Sequence, residues 1–150
     1  MELKVIPVVV FAVAGLLMWL LAATIPALDF HFMFRRVVII VLMVAGITIG
    51  IAGVAAFRLQ RTTVNPAEPQ RASTLVTSGV FRFSRNPMYL GLLLLLIAWG
   101  LVVQNVAAFV VLPAFVIYMS RYQIRPEERA LASLFGSDFD AYRQRVRRWL

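Results

Sequence analysis

Two long apolar segments without a charged residue limit the possible folds of this chain more than any other feature. They cover residues 5–28 and 37–57. About 20 consecutive apolar residues are enough for a helix to cross the hydrocarbon core of a bilayer. Each segment therefore predicts one membrane-spanning helix. The first is longer than the roughly 7–15 apolar residues of a signal peptide, so we expect a retained anchor.

A third apolar region covers residues 88–118 and is interrupted only by Gln104 and Asn105. The interruption predicts two helices folded back on each other as a hairpin. The first arm, residues 88–103, would be about 24 Å long, which is short against a hydrocarbon core of about 30 Å. The sequence thus predicts an all-α, polytopic membrane protein with about four transmembrane helices, of which the last two form a short hairpin.

The charge distribution predicts the orientation of these helices. The net charge of +8 comes from basic residues at the ends of the apolar segments, so it indicates membrane topology and not nucleic-acid binding. Lys4, the arginines of the loop between the second and third spans, and the seven arginines after Tyr118 all fall on one side. By the positive-inside rule, both termini and this loop are cytoplasmic, with Arg35 and Arg36 as exceptions. We expect a multi-pass protein of a bacterial or archaeal inner membrane.

Small residues in the second span predict close helix packing. Gly46, Gly50 and Gly53 recur at spacings of four and three, which lets helices approach closely. We expect this face to pack inside the bundle. The alternative is a homodimer contact through Gly46 and Gly50.

The loop between the second and third spans, residues 58–86, is polar and contains the turn-forming pairs Asn65-Pro66 and Ser78-Gly79. Loops of this length are usually functional or disordered. Its aromatic residues Phe81 and Phe83, close to several arginines, favour an ordered, functional cytoplasmic loop.

Two short helices are predicted after the last span. Pro126 suits the first turn of one helix, and Gly136 suits its end. In the second helix, Phe139, Tyr142, Val146 and Trp149 recur at spacings of three and four between arginines, which is typical of an amphipathic helix at a membrane interface. It could anchor the protein on acidic headgroups or close a site from below.

Several catalytic motifs are absent from the sequence. There is no GxGxxG, P-loop or HExxH motif, no cysteine, and His31 is the sole histidine. A catalytic triad, a thiolate metal site or a zinc site is therefore not expected.

Polar residues remain concentrated at the membrane boundaries. A hairpin of residues 88–103 and 106–122 would bring residues 85–89 beside residues 121–128. The combined cluster contains Arg82, Arg85, Asn86, Tyr89, Tyr118, Arg121, Tyr122, Arg125, Glu127 and Glu128. Taken singly, these could be snorkelling arginines, aromatic-belt tyrosines and acids at a helix N-terminus. Together they suit a zwitterionic ligand with a flat ring system.

Two motifs in this cluster resemble those of a known family. Residues 79–91 read GVFRFSRNPMYLG, and Arg125-Pro-Glu127-Glu128 is followed by LFGxxFxxY at 134–142. The chain is similar, over residues 75–149, to the superfamily of isoprenylcysteine carboxyl methyltransferases and phospholipid methyltransferases. The resemblance implies one membrane methyltransferase domain over residues 1–150, with residues 1–57 as a two-span scaffold and residues 58–150 as the cofactor-binding half.

The same resemblance implies S-adenosylmethionine as the cofactor and a lipid-like substrate that enters from the bilayer. Its Arg-His-Pro-x-Tyr element falls on Arg85, Asn86, Pro87 and Tyr89, and its closing glycine falls on Gly91. Asn86 replaces the family's histidine, and Val80 replaces the common proline after Gly79. An asparagine forms hydrogen bonds but does not titrate near neutral pH, so we expect it to position the cofactor.

The implied roles divide the site residues between the parts of the cofactor. Glu127 or Glu128 would pair with its α-ammonium group, and Arg85 or Arg125 with its carboxylate. Phe81, Tyr89 or Tyr122 would line the adenine. The catalytic candidates are Arg85, Asn86, Arg125 and Glu128. The cofactor-binding candidates are Phe81, Arg85, Asn86, Pro87, Tyr89, Gly91, Tyr122, Glu127 and Glu128.

The methyl acceptor stays open at this stage. A carboxylate acceptor needs no base, whereas an amine or phenol must lose a proton, which favours an ionised acceptor such as an isoprenylcysteine-like carboxylate. A phospholipid amine and a small hydrophobic acid are further candidates. Two other functions compete, an NADPH-dependent membrane reductase and a non-enzymatic membrane scaffold.

Overall fold

The computed structural model describes residues 6–31, 33–60 and 73–150, and this part of the chain is helical without a β-strand. Its α-helices are α1 (Pro7–Thr24), α2 (Arg35–Leu59), α3 (Pro87–Val103), α4 (Val111–Met119) and α5 (Arg125–Arg145). Three parts of the predictions lie outside the described residues, namely Lys4, the loop arginines Arg61 and Arg71, and the turn at Asn65-Pro66.

Among the described residues, three helical stretches are long and apolar enough to cross a membrane. They are α1, α2 and the 40-residue stretch Val106–Arg145, which includes α4 and α5. Helix α3 is also apolar but has 17 residues, which corresponds to about 25 Å. Large apolar side chains such as Leu16, Ile40 and Ile51 are exposed on α1 and α2, as expected for helices in contact with lipid. The prediction of an all-α, polytopic membrane protein is confirmed.

Helices α2 and α3 approach each other closely at a pair of glycines. A methyl group added at Gly46 would lie 2.8 Å from the carbonyl oxygen of Gly91, and one added at Gly91 would lie 2.6 Å from that of Gly46. Gly46 is therefore packed inside the bundle, as expected, and is not available to a second copy of the chain. Gly50 is different, because a methyl group there would meet no atom within 4 Å.

The predicted hairpin is present, and its turn falls at the two polar residues. Helix α3 ends at Val103 and is followed by Gln104, which has a left-handed backbone with φ 56°. The fully buried Asn105 donates its amide nitrogen to the carbonyl of Ile25 and to Asp29 Oδ1, both at 2.7 Å. Its amide oxygen accepts from the backbone nitrogen of Ala107 at 2.9 Å. Asn105 thus joins the α3–α4 turn to the α1–α2 connection.

The second arm of the hairpin continues into α5 without a break, which corrects the prediction of a separate helix beginning near Pro126. The connection is a π-helical segment, Ser120–Ile124. Proline has no backbone N–H and cannot complete the regular hydrogen-bond pattern, and a π-helical turn accommodates such a local defect. The apolar part ends at Met119, and the following turns carry Arg121, Arg125 and Glu127. We treat this polar part as lying outside the hydrocarbon core.

The last helix is kinked and ends earlier than its apolar spacing predicts. Gly136 has a φ of 47°, so it divides α5 into two parts, as predicted. The helix then ends at Arg145, because Val146 has an extended backbone with φ −122° and ψ 132°. Val146 and Trp149 are therefore not on the amphipathic helix, although Phe139 and Tyr142 are, and both point into the protein.

Candidate functional site

The hairpin brings the two sequence motifs together at one end of the bundle, which we call the motif end. Arg85 and Asn86 lie immediately before α3, and the paired acids lie in the first turn of α5. The hydroxyl of Tyr89 donates a hydrogen bond to Glu127 Oε1 across 38 residues of sequence. The predicted meeting of these motifs is therefore observed.

A cavity of about 80 Å³ lies between the motifs. Its polar wall contains Arg85, Asn86, Tyr89, Glu127 and Glu128. Its aromatic wall contains Phe57, Phe81, Phe139 and Tyr142, and its remaining lining residues are Thr74, Leu75, Val76, Pro87, Met88 and Leu131. A cavity with a charged side and an aromatic side can hold a ligand that has both a zwitterionic part and a flat ring.

The aromatic wall is fixed by direct contacts. Phe81 is buried, and its ring meets that of Phe57 edge to face, with centroids 5.2 Å apart. Tyr142 donates its hydroxyl to the backbone carbonyl of Phe81 at 2.7 Å. The loop before α3 is thereby bonded to the second part of α5. Phe139 and Tyr142 thus close the cavity. Of the two alternatives for the amphipathic helix, this position favours closure of a site over a simple membrane anchor.

Glu128 lies at the centre of a cluster of three charges. Arg148 donates to it from two nitrogens, Nε to Oε1 at 3.1 Å and Nη2 to Oε2 at 2.6 Å. Arg85 Nη1 lies 3.1 Å from the same Oε1. The Arg85 side chain is only 10% exposed. Its Nη1 makes this ion pair without hydrogen-bond geometry, and its Nε has no partner among the described residues. A buried guanidinium with a free donor is prepared to bind an anion.

Burial changes the pKa values of two groups in the site. It raises the pKa of Glu127 to about 7, and the nearby charge of Glu128 acts in the same direction, whereas the hydrogen bond from Tyr89 acts against it. Burial also lowers the pKa of Arg85, which Glu128 partly opposes. A carboxyl group that titrates near neutral pH can hold or release a proton under working conditions.

Residues 146–150, which we call the 146–150 segment, run along the beginning of α3. The backbone nitrogen of Arg85 donates to the carbonyl of Arg147 at 3.0 Å. The side-chain amide of Asn86 donates to the carbonyl of Arg148 at 2.8 Å. Trp149 Nε1 donates to Ser120 Oγ at 3.1 Å. The side chain of Asn86 therefore holds this segment as well as lining the cavity.

Three of the sequence candidates do not line this cavity. Arg125 is exposed and does not line the cavity. Tyr122 packs against Tyr118, with ring centroids 4.9 Å apart, and Arg121 lies over its ring. Gly91 packs against α2 and not against the cavity. Contacts of these three residues with a cofactor stay predictions.

The sequence also left some site residues unassigned. Arg148 is the most important, since it makes two hydrogen bonds to Glu128. It occurs in a run of arginines at positions 143, 145, 147 and 148, and no local pattern separates it from the others. Phe57 belongs to the second span and carried no polar signal. The one available indication in the sequence was an aromatic residue at the end of that span.

A second cavity, of about 480 Å³, lies beside the first between α2 and α3. We call it the α2–α3 groove. Met88 lines both cavities, and Arg58 is the charged residue among those that line the groove. The other lining residues are apolar or small, namely Gly46, Ile47, Gly50, Ile51, Val54, Ala55, Gly91, Leu92 and Leu95. The groove therefore connects lipid-facing helix surfaces with the motif end.

Comparisons with known proteins agree with the motifs. A family model described as "Phospholipid methyltransferase" matches residues 34–138. A protein of Haemophilus influenzae described as an uncharacterized protein is 44% identical over 63 residues, which are 42% of this chain and the whole of that protein. No solved structure matches the chain.

Proposed function

This chain belongs to the phospholipid methyltransferase family, and we propose that it transfers the methyl group of S-adenosylmethionine to a lipophilic acceptor from the bilayer. Membership makes it a membrane methyltransferase. The identities of the methyl donor and of the acceptor are what we propose. The observation that carries it is the cavity at the motif end, where an incompletely hydrogen-bonded guanidinium, two carboxyl groups and an aromatic wall meet.

The residues of this cavity fit the chemistry of S-adenosylmethionine. Arg85 offers a buried guanidinium with a free Nε to a carboxylate, and Glu127 offers a carboxyl group to an ammonium. Phe57 and Phe81 offer ring faces and edges to the adenine. The fit covers the anionic, cationic and aromatic parts of the cofactor.

The cavity has to enlarge on binding. A water molecule needs about 10–15 Å³ by the same measure, so 80 Å³ holds only a handful of waters. The wall formed by Thr74, Leu75 and Val76 belongs to no helix. We propose that it moves outward when the adenosyl group enters.

The protein's share in the reaction is to align the reactants and exclude water. When bound, S-adenosylmethionine supplies a methyl group on a positively charged sulfur, which a nucleophile displaces in line. Arg85 and Glu127 would fix the amino-acid end of the donor, and correct orientation lowers the entropic part of the barrier. Met88 and Leu131, which line the cavity, would keep water from the reacting atoms.

We propose that the acceptor lies in the α2–α3 groove. From Gly46 to Arg58 the groove extends twelve residues along α2, or about 18 Å, which matches one leaflet of a hydrocarbon core of about 30 Å. Arg58 at one end is exposed and suits an anionic head. These features support an ionised amphiphile, such as an isoprenylcysteine-like carboxylate, as the acceptor.

A phospholipid amine is the second candidate acceptor. A phospholipid amine is mainly an ammonium near neutral pH, so it must lose a proton before its nitrogen attacks the methyl group. Glu127 lines the cavity but is assigned to the ammonium of the cofactor, so this proton would pass to solvent. The family description also names phospholipids.

The orientation in the membrane belongs to the same proposal. The motif end carries Arg58, Arg82 and Arg85 together with the arginines that follow α4. By the positive-inside rule we place this end on the cytoplasmic side. A bacterial relative supports the inner membrane of a bacterium or archaeon.

Methyl transfer to defined acceptors tests the proposal. Purified protein in detergent is incubated with methyl-labelled S-adenosylmethionine and either a prenylated cysteine with a free carboxylate or phosphatidylethanolamine. The prenylated cysteine methyl ester serves as the blocked control. We expect label in the free acid that mild base releases as methanol. Base-stable label in the phospholipid would favour the amine acceptor, and no transfer to any lipid fraction would contradict the function.

Gly50→Leu tests the groove separately, because Gly50 lines it and has open space where a side chain would begin. Excluding about two methylene groups of an acceptor costs roughly 1.6 kcal/mol, so we expect its KM to rise about tenfold. Binding of S-adenosylhomocysteine should stay unchanged. The matched control is Val44→Leu, which enlarges an exposed residue on α2 that does not line the groove. An equal acceptor KM in both variants would exclude the groove as the acceptor site.

A further inference from the structure

We propose that Arg148, which lies outside both sequence motifs, is a positioning residue of the cofactor site. It holds Glu128 against Arg85, so that Arg85 binds the carboxylate of the cofactor's amino-acid group and Glu127 binds its ammonium. This inference rests on the proposed use of S-adenosylmethionine. It assigns different tasks to two adjacent acids that the sequence does not distinguish.

The geometry of Glu128 is the first step. Arg148 approaches its carboxylate with two parallel hydrogen bonds, and Arg85 lies 3.1 Å from Oε1 on the cavity side. Such a fork is strong and strongly directional. An ammonium group that bound to Glu128 would have to lie beside two guanidinium groups. Glu128 is therefore unsuited to be the ammonium's partner.

The charge balance of this cluster gives the second step. Arg85 and Arg148 carry two positive charges against the one negative charge of Glu128. Arg85 is the more buried of the two arginines, and its Nε has no hydrogen-bond partner among the described residues. One carboxylate would neutralise the excess charge and satisfy that donor.

Glu127 has the opposite surroundings, which is the third step. It accepts the neutral hydroxyl of Tyr89 and forms no ion pair with a described residue. It also lines the cavity. A buried carboxyl group without a cationic partner gains most from a ligand that brings one. The ammonium therefore belongs at Glu127.

The 146–150 segment fixes the position of Arg148. Asn86 donates its side-chain amide to the backbone carbonyl of Arg148, and Trp149 is bonded to Ser120. This gives a physical reason for asparagine at the position where the family has histidine. Either side chain can donate a hydrogen bond from nitrogen to a carbonyl, and that task needs no titratable group.

Two ligands separate positioning of the cofactor from support of the fold. S-adenosylhomocysteine has the amino-acid group, whereas methylthioadenosine has the same adenosine and thioether without it. Calorimetry with both ligands is carried out on detergent-solubilised wild type and on Arg148→Gln, Arg148→Lys and Glu127→Gln. Arg147→Gln is the matched control, because it removes the same charge from the exposed neighbouring side chain.

We expect Arg148→Gln and Glu127→Gln to weaken S-adenosylhomocysteine about tenfold or more, since each removes support for a charge-assisted contact. Methylthioadenosine should bind all variants about equally. Arg148→Lys should fall between wild type and Arg148→Gln, because lysine keeps the charge without the fork. Arg147→Gln should resemble wild type with both ligands.

Three results would overturn the inference. One is an unchanged affinity of Arg148→Gln for S-adenosylhomocysteine. Another is an equal loss of affinity for both ligands, which would show that Arg148 supports the fold and does not position the cofactor's amino-acid group. If Arg148→Gln does not fold, Arg148→Lys takes its place. Weaker binding of S-adenosylhomocysteine with unchanged binding of methylthioadenosine then supports the inference, and an equal loss for both ligands contradicts it. If the wild type binds neither ligand, the proposed function fails, and the inference fails with it.

Discussion

Two clusters of polar side chains lie at opposite ends of the helical bundle, and they differ in how far their hydrogen bonds are satisfied. At the α3–α4 turn, Asn105 is fully buried and all the polar atoms of its side chain have partners. The neighbouring Gln104 leaves one neutral acceptor without a partner. At the motif end, the Nε of the charged Arg85 has no hydrogen-bond partner among the described residues, and its Nη1 has only the ion pair with Glu128.

This difference separates structural roles from binding roles. A satisfied buried amide stabilises one arrangement of the chain and gains nothing from a ligand. A buried charged group with free donors is costly until a ligand of opposite charge arrives. The Asn105 cluster should therefore contribute to stability, and the Arg85–Glu128 cluster to binding.

The largest effect should follow from Asn105→Ala. It removes three hydrogen bonds at a fully buried position, and at about 1 kcal/mol each the free energy of unfolding should fall by about 3 kcal/mol. Unfolding monitored in detergent measures the loss. Asp29→Asn keeps an acceptor oxygen and should remain close to wild type. A folded Asn105→Ala protein with weakened S-adenosylhomocysteine binding would contradict the assignment of stability to one end of the bundle and binding to the other.

Arg85→Met should give the reverse pattern. The binding free energy of S-adenosylhomocysteine should weaken by about 2 kcal/mol, because a hydrogen-bonded ion pair with the carboxylate is lost. Stability without ligand should change by less than about 1 kcal/mol. The ion pair between Arg85 and Glu128 is lost, but Glu128 keeps the fork of Arg148, and a buried charge with an unsatisfied donor disappears. Calorimetry and unfolding on the same preparation measure both. A large loss of stability with intact binding would show that Arg85 stabilises the fold and does not bind the cofactor.

The smallest effect concerns pH. The pKa of Glu127 is raised to about 7, so its protonated form favours the folded state. The resulting stability is complete below the unfolded pKa near 4.5 and is lost as the pH rises through 7. Binding of an ammonium requires the ionised form, so S-adenosylhomocysteine affinity should rise roughly tenfold between pH 6 and 8. Groups facing Glu127 are Tyr89 and Glu128.

Glu127→Gln provides the control for this pH dependence. In this variant, both the fall of stability with rising pH and the rise of S-adenosylhomocysteine affinity with rising pH should become smaller. Methylthioadenosine should show neither the rise in the wild type nor a change in the variant. Parallel slopes for stability and affinity in the wild type would contradict the assignment of the ammonium to Glu127.

The overall fold could be predicted because apolar segments of membrane length have few alternatives. The hairpin also followed from the sequence, since Gln104 and Asn105 interrupt an otherwise apolar region. The continuation from α4 into α5 could not be predicted, because Pro126 is equally compatible with a helix start and with a π-helical segment before it. The choice depends on packing around Ile124 and Gln123, which are both buried.

The candidate site was predicted in part. Arg85, Tyr89, Glu127 and Glu128 meet as the hairpin requires. The contribution of Arg148 could not be predicted, because spacing alone continued the amphipathic helix through Val146 and Trp149. The extended backbone after Arg145 redirects these residues towards α3. Gly91, which matches a motif position, contacts Gly46, so close helix packing is one physical reason for a glycine there.

Calorimetric titration of the wild-type protein in detergent with S-adenosylhomocysteine and, separately, with NADPH tests the central claim most directly. A reductase would bind NADPH, a scaffold would bind neither ligand, and the account predicts binding of S-adenosylhomocysteine alone. Saturable binding of S-adenosylhomocysteine at micromolar concentration with no response to NADPH is the predicted result. No heat of binding with S-adenosylhomocysteine at high micromolar concentration would contradict the account.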